Sequence, residues 1–278
     1  MNQKEVVVVI GAGGIGQAIG RRQGTGRTVL LADLNEQTLD NVAETLTSAG
    51  HAVETHYVDV SVRESVHALA DAAAAFGDVV NVVHTAGVSP VQAPPAAILA
   101  VDLVGTALVL EEFGRVIARG GAGLVVSSMA GHMIPALDPA QDEALAHTPA
   151  DELRQLPFLS EDAVPNSGAA YAIAKRANQL RVQAAAVEWG DRGARVNSIS
   201  PGIIITPLAL DEMSGPGAAG YQAMIEQSAA GRAGTTDEIA AAAAFLLGRN
   251  GAFVTGSDLL MDGGVIAAMR AGRWGLAV

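Results

Sequence analysis

The amino-acid sequence predicts an α/β fold, a single doubly wound parallel sheet with helices on both faces. Three observations carry that expectation. Short β-branched runs alternate with helix-length stretches, the runs are almost continuously apolar, and no internal repeat or composition shift divides the 278 residues. Helix-length connections between strands imply parallel crossovers, and strands apolar on both sides imply a sheet covered on both faces.

The elements follow in order. Residues 6–10 (VVVVI) form the first strand, and 15–23 the helix behind it, after a glycine-rich turn. Runs at 28–32, 53–58 and 79–84 continue the sheet, separated by helical patterns at 36–49 and 62–76. A long helical pattern at 96–118 leads to a strand at 124–127, and another at 169–189 leads to a strand at 195–199. A helix at 237–247, alanine-rich and suited to burial, and a strand at 258–261 close the pattern. One segment breaks the rhythm: 132–166 holds five prolines (Pro135, Pro139, Pro149, Pro157, Pro165) and many acidic residues. It reads as an inserted loop with one short helix near 151–156. Its place just before Tyr171 favours a functional loop over the carboxyl ends of the strands, where ligands bind in such sheets.

Bulk properties remove several classes of function. Half of the residues are hydrophobic, enough for a core, and the 32 glycines are dispersed, which suits tight turns and not a linker. A net charge of −12 argues against a nucleic-acid surface. The absence of cysteine excludes disulfides, thiolate metal sites and a cysteine nucleophile, and no metal site is expected. The apolar stretches at 6–10 and 239–247 are too short for a signal-peptide core or a membrane span. A soluble cytoplasmic protein with no membrane partner is expected.

The first strand runs into Gly11-Ala12-Gly13-Gly14-Ile15-Gly16, which fits G-x-G-x-x-G in strand–turn–helix context. Gly11 allows the turn, Gly13 lets a pyrophosphate approach the backbone, and Gly16 lets the helix pack closely on the strand. The helix N-terminus offers free N–H groups and partial positive charge to phosphates. Asp33 ends the second strand, where a carboxylate accepts hydrogen bonds from ribose hydroxyls and repels a 2′-phosphate; it also suits a helix cap. No arginine immediately follows it, so NAD(H) is expected over NADP(H). Asp59 ends the third strand and suits either contact with the adenine edge or, with Ser61, a cap for the next helix. The fourth strand ends in His84-Thr85-Ala86-Gly87, whose small residues leave room for a cofactor.

Tyr171 and Lys175 lie four residues apart in a helical pattern, one turn apart on the same face. An ammonium beside a phenol stabilises the phenolate and draws its pKa down from about 10. Such a tyrosine exchanges a proton with an alcohol or a developing alkoxide. Ser127-Ser128 ends the strand that precedes this helix.

At this point the chain resembles the short-chain dehydrogenase/reductase family over nearly its whole length. GAGGIG at 11–16, Asp33, Asp59, TAG at 85–87, SSMAG at 127–131, YAIAK at 171–175, RVNSISPGIIITP at 195–207 and FVTGSDLLMDGG at 253–264 carry the resemblance. It implies a Rossmann-type sheet and an NAD(H)-dependent enzyme that interconverts a secondary alcohol and a ketone. It implies that Ser128 orients the substrate oxygen, that Tyr171 is the acid/base, and that Lys175 holds the nicotinamide ribose. It assigns Gly11, Gly13, Ile15, Gly16, Asp33, Asp59, Val60, Ala86 and Gly87 to the cofactor together with Tyr171 and Lys175. Pro201, Gly202, Ile204 and Thr206 line the nicotinamide in the same reading. A homotetramer or dimer, built partly from the helices holding 103–118 and 171–189, is implied as well.

Four departures from the family pattern stand out. The glycine turn is one residue short. His84 stands in place of the usual asparagine. Asp102 (AVDLVG) occupies the place of the catalytic asparagine; it either joins the proton relay or pairs with Lys175 and offsets its charge. Forty-three positions separate Ser128 from Tyr171, and the 132–166 insertion fills them. Together with the tail GGVIAAMRAG, this resembles bacterial 3α-hydroxysteroid dehydrogenase/carbonyl reductases and admits a steroid-like substrate. The insertion serves either that substrate or an oligomer contact.

The stretch 208–230, within a lid at about 207–230, holds Leu208, Met213, Gly215-Pro216-Gly217, Met224 and Ile225. It resembles the family's mobile lid, with glycine and proline as hinges and an apolar lining that favours an apolar alcohol or ketone. Competing readings are a non-catalytic dinucleotide sensor, which needs no Ser128, Tyr171 or Lys175, and an epimerase or dehydratase, whose relatives carry a further substrate domain. A methyltransferase shares the glycine turn but has no use for YAIAK.

Overall fold

Val6 to Ile10 are all fully buried in β1 (Glu5–Ile10), and they enter two different cores. Val6, Val8 and Ile10 pack on one side of the sheet, Val7 and Val9 on the other. This two-sided burial is why the strand reads as continuously apolar. The computed structural model describes residues 4–215 and 217–273, and for Leu208, Asp211 and Glu212 the backbone alone.

The remaining strands are β2 (Thr28–Asp33), β3 (Ala52–Tyr57), β4 (Asp78–His84), β5 (Ile117–Val126), β6 (Arg195–Pro201) and β7 (Asp258–Met261). They form one seven-stranded sheet in the order β3-β2-β1-β4-β5-β6-β7, parallel throughout. The order reverses between β1 and β4, which opens a crevice at the carboxyl ends of the strands. Helices α1 (Gly14–Gln23) and α2 (Glu36–Ser48) cover one face, and α3 (Arg63–Phe76) lies on the other. The edge strand β3 departs from the apolar expectation, since Glu54, Thr55 and Tyr57 are exposed.

The helix expected at 96–118 is broken into α4 (Pro95–Ile98), a wider π-helical segment (Leu99–Gly105) and α5 (Thr106–Val116). A π-type segment inserts a residue into the ladder and redirects the side chains it carries. Asp102 sits within it and is fully buried. The strand expected at 124–127 begins earlier, at Ile117. Its register against β4 jumps from Ile117 to Ala122, so residues 118–121 bulge out and the true core strand starts beyond them.

The insertion differs most from expectation. It contains a capped helix, α6 (Pro139–His147), and only 3₁₀ turns at Ala150–Gln155 and Pro157–Leu159, where one short helix was expected. Leu145, Leu153, Leu159 and Val164 are buried in the core that includes α7 (Ser167–Asp191). Arg181 on α7 donates to the carbonyl oxygens of Leu145 and Thr148. Thus the segment lies along the helices instead of over the strand ends, because its own apolar residues are buried there. Residues 174–182 of α7 are consequently buried all round except Arg176. The surface expected to join copies is, over this stretch, occupied by the chain itself. The last elements are α8 (Pro207–Ser214), α9 (Ala218–Gln227), α10 (Thr236–Leu247) and α11 (Val265–Arg270). No helix among the described residues is long and apolar enough to cross a membrane.

Candidate active site

The glycine turn is built by backbone constraint. Gly11 has φ +95, and a side chain there would run into the backbone of Ala86; one at Gly16 would meet the carbonyl oxygen of Gly11. Nothing lies within 4 Å of where a Gly13 side chain would start, so that face stays open to a ligand. Thr85, whose hydroxyl sequence reasoning passed over, donates to the Gly11 carbonyl oxygen (2.7 Å) and fixes the turn against β4. The Ala12 N–H donates to Asp33 Oδ2 (2.7 Å) and the Asn35 N–H to Oδ1 (2.9 Å). Asn35 is the N-cap of α2, so Asp33 is not needed as its cap and is oriented at the glycine turn. These features fit a dinucleotide: an open cradle, a helix N-terminus behind it, and a carboxylate held beside it.

Asp59 is engaged locally. Its Oδ1 accepts from both the backbone N–H and the hydroxyl of Ser61 (2.9 and 2.6 Å), the turn-forming arrangement. Val60 is buried and packs where Gly105 comes close.

The remaining expected residues converge on one cavity of about 380 Å³. Ser128, Tyr171, Lys175 and Asp102 line it together with Ile15, Gly87, Pro201, Gly202, Ile204 and Thr206. Gly11, Gly13, Gly16, Asp33, Asp59, Val60 and Ala86 lie outside that lining, at the ends of β1 to β4. The far wall is apolar, with Val88, Met129, Met133, Tyr221 and Met224. Met133 is the part of the insertion that reaches it; 134–166 contribute nothing. Of this wall the sequence reading names Met224 in the apolar lid; Val88, Met129, Met133 and Tyr221 are scattered over loops and lid without a period that would mark them. Met213, Tyr221, Met224 and Ile225 of the lid pack on Met129, Ile203, Val265 and Ile266. Pro216, expected as a hinge, and the Leu208 side chain lie outside the described residues.

The polar side chains of this cavity are held by neighbours. Ser128 caps the 3₁₀ turn Met129–His132, its Oγ accepting from the Ala130 N–H (3.1 Å), so its own hydrogen is free to be donated. Lys175 Nζ lies 5.2 Å from the centroid of the Tyr171 ring and 3.0 Å from Asp102 Oδ1. Burial alone would drive the Lys175 pKa down, but Asp102 and Tyr171 outweigh it and hold the pKa above the ordinary lysine value. Burial pushes the Asp102 carboxyl up, and Lys175 and the Val88 N–H pull it only part of the way back. Thr106 Oγ1 donates to the Asp102 carbonyl oxygen (2.8 Å) and so accepts from His84 Nε2 (3.1 Å). The substituted histidine thus braces the π-helical turn. Burial first and Lys175 second lower its pKa to about 3, so it is neutral.

Comparisons with known proteins point to one family. The family model described as "Enoyl-(Acyl carrier protein) reductase" matches residues 10–140 and 157–266. The unmatched stretch between them lies inside the insertion. A protein of Alternaria brassicicola, "Short-chain dehydrogenase/reductase bsc3", is 40% identical over 95% of this chain and 96% of its own. The "D-threitol dehydrogenase" of Mycolicibacterium smegmatis is 31% identical over 95% of this chain and 93% of its own. A solved short-chain dehydrogenase/reductase from Serratia marcescens superposes with a TM-score of 0.74, covering 95% of this chain and 98% of that one at 23% identity.

Proposed function

The chain belongs to the short-chain dehydrogenase/reductase family, and on that basis we propose that it is an NAD(H)-dependent enzyme for an uncharged, apolar ketone or secondary alcohol. As an oxidoreductase of the alcohol/ketone class it needs a dinucleotide cradle and a proton donor at one cleft. The observation that carries the reading is the shared cavity, in which Ser128, Tyr171 and Lys175 face the residues beside the glycine turn. The dinucleotide, when bound, supplies or accepts the hydride. Ser128 donates a hydrogen bond to the substrate oxygen and fixes its place. Tyr171 then gives that oxygen a proton as it becomes an alkoxide, or takes one from the alcohol in the reverse direction. Lys175 stabilises the phenolate left behind.

Asp33 supports the preference for NAD(H), since its carboxylate is held at the glycine turn and Leu34, Asn35 and Glu36 follow it without a cation. The apolar wall of methionines and Tyr221 supports an apolar, steroid-like substrate over a phosphorylated one. A homo-oligomer is consistent with this family, assembled through surfaces other than the covered stretch of α7. The presence of Ser128, Tyr171 and Lys175 in one cavity favours catalysis over a sensor role.

The test follows NADH absorbance with purified protein and a panel of secondary alcohols and ketones that includes hydroxysteroids. Turnover that falls by about 10²–10⁴-fold in Tyr171→Phe supports the assignment. Full activity in that variant, or no binding of NADH, sinks it.

A further inference from the structure

Inside the protein, one ammonium meets one carboxylate. Lys175 Nζ lies 3.0 Å from Asp102 Oδ1, with side-chain exposures of 6% and 0%. Asp102 Oδ2 accepts from the Val88 N–H (3.2 Å). A side chain at Gly87 would collide with Oδ1, so the loop after β4 leaves room for a carboxylate at this point. The groups that reach Lys175 from the elements packed on it are few. Its own helix brings Tyr171, the π-helical segment brings Asp102, and β4 brings the neutral His84. From the ends of β5 and β6 the cavity lining brings uncharged residues, Ser127, Ser128, Pro201 and Gly202 among them, and the lid brings Tyr221, the one further titratable group among the described lining residues.

We propose that Asp102 is a positioning residue that offsets the charge of Lys175, so that the Tyr171 hydroxyl keeps its proton through neutral pH and the site is set for ketone reduction. The inference rests on the reading of Tyr171 as proton donor given above. A lone ammonium one turn from a phenol favours the phenolate. A carboxylate in direct contact with that ammonium turns the charge into a dipole, whose field at the phenol is much weaker. Low dielectric around the pair strengthens both terms but leaves their near-cancellation in place. In reduction the carbonyl carbon gains a hydride with its two electrons from the reduced dinucleotide. The carbonyl π pair moves to oxygen, and that oxygen takes the Tyr171 proton. The phenolate is reprotonated from water. A tyrosine that is protonated at neutral pH is ready for this direction, whereas alcohol oxidation waits for alkaline pH.

The first readout needs no activity. Tyrosinate absorbance of ligand-free protein is titrated with pH, and the Tyr171→Phe titration is subtracted, which removes Tyr57 and Tyr221. In the wild type the Tyr171 midpoint is expected near the ordinary phenol value of about 10; a midpoint below about pH 8 overturns the proposal. In Asp102→Asn the midpoint is expected about one to three pH units lower, and the rising limb of alcohol oxidation moves with it. The Asn amide has to face the Val88 N–H, so Asp102→Ser serves as the second variant if the first does not fold. An unchanged midpoint in the folded variant, with Tyr171→Phe inactive, overturns this inference alone. Full activity of Tyr171→Phe overturns the reading beneath it.

Discussion

Ser127 Oγ donates a hydrogen bond to the carbonyl oxygen of Lys175 at 2.8 Å, buried where the end of β5 meets α7. The bond ties the strand that presents Ser128 to the helical turn that presents Tyr171 and Lys175. Replacing it by Ser127→Ala removes one neutral hydrogen bond, worth about 1 kcal/mol, while the carbonyl keeps its helical partner. We expect a small fall in melting temperature and a fall in kcat of roughly tenfold, because looser placement of reacting groups lowers the rate. A melting temperature that drops with kcat intact would show the bond to be structural alone.

The glycine turn gives a sharper outcome. A Cβ at Gly16 meets the backbone oxygen of Gly11, and backbone cannot yield as a flexible side chain can. Gly16→Ala is expected to cost on the order of 1–3 kcal/mol of stability and to abolish NADH binding, read by its fluorescence. Retained binding at wild-type affinity would mean that the turn does not hold the dinucleotide.

Asp33 is proposed to separate the two cofactors. Its carboxylate accepts from the Ala12 N–H at the glycine turn, where a negative charge is expected to repel a 2′-phosphate. In Asp33→Ala, NADH affinity should fall by about tenfold, as expected for a lost charged hydrogen bond, while NADPH affinity holds or rises. Equal losses for the two cofactors, measured side by side, would remove Asp33 from the discrimination.

Arg63 on α3 bonds Glu111 and Glu112 of α5 and Asp151 of the insertion. The cluster is partly exposed, so its worth in stability is small, about 1 kcal/mol. Its effect is local. Arg63→Ala should speed amide hydrogen exchange in 139–159 and leave the pH profile of turnover unchanged. Exchange that stays at the wild-type rate would show that the buried leucines alone hold the segment.

Most of the sheet was legible because two-sided burial leaves a simple mark. Val6 to Ile10 alternate between two cores, and no sequence other than a run of apolar residues satisfies both. The short motifs were legible for a related reason, since Gly11 and Gly16 answer to local backbone geometry that neighbouring residues impose. The insertion was not. Leu145, Leu153, Leu159 and Val164 are scattered among prolines and acidic residues without a period, and only contact with α7 reveals that they share one core. The break at Leu99–Gly105 was hidden too, because a π-helical turn changes hydrogen bonding without changing composition.

The sequence by itself determined the doubly wound sheet, the glycine cradle and the order in which Ser128, Tyr171 and Lys175 come along the chain, because strand periodicity and turn chemistry act between near neighbours. What Asp102 touches came from the tertiary structure. It stands 73 positions before Lys175 in the chain, and spacing left a relay role and an ion pair equally open. The π-helical turn, braced by Thr106 and His84, brings the carboxylate to the ammonium, and both groups are buried at that contact.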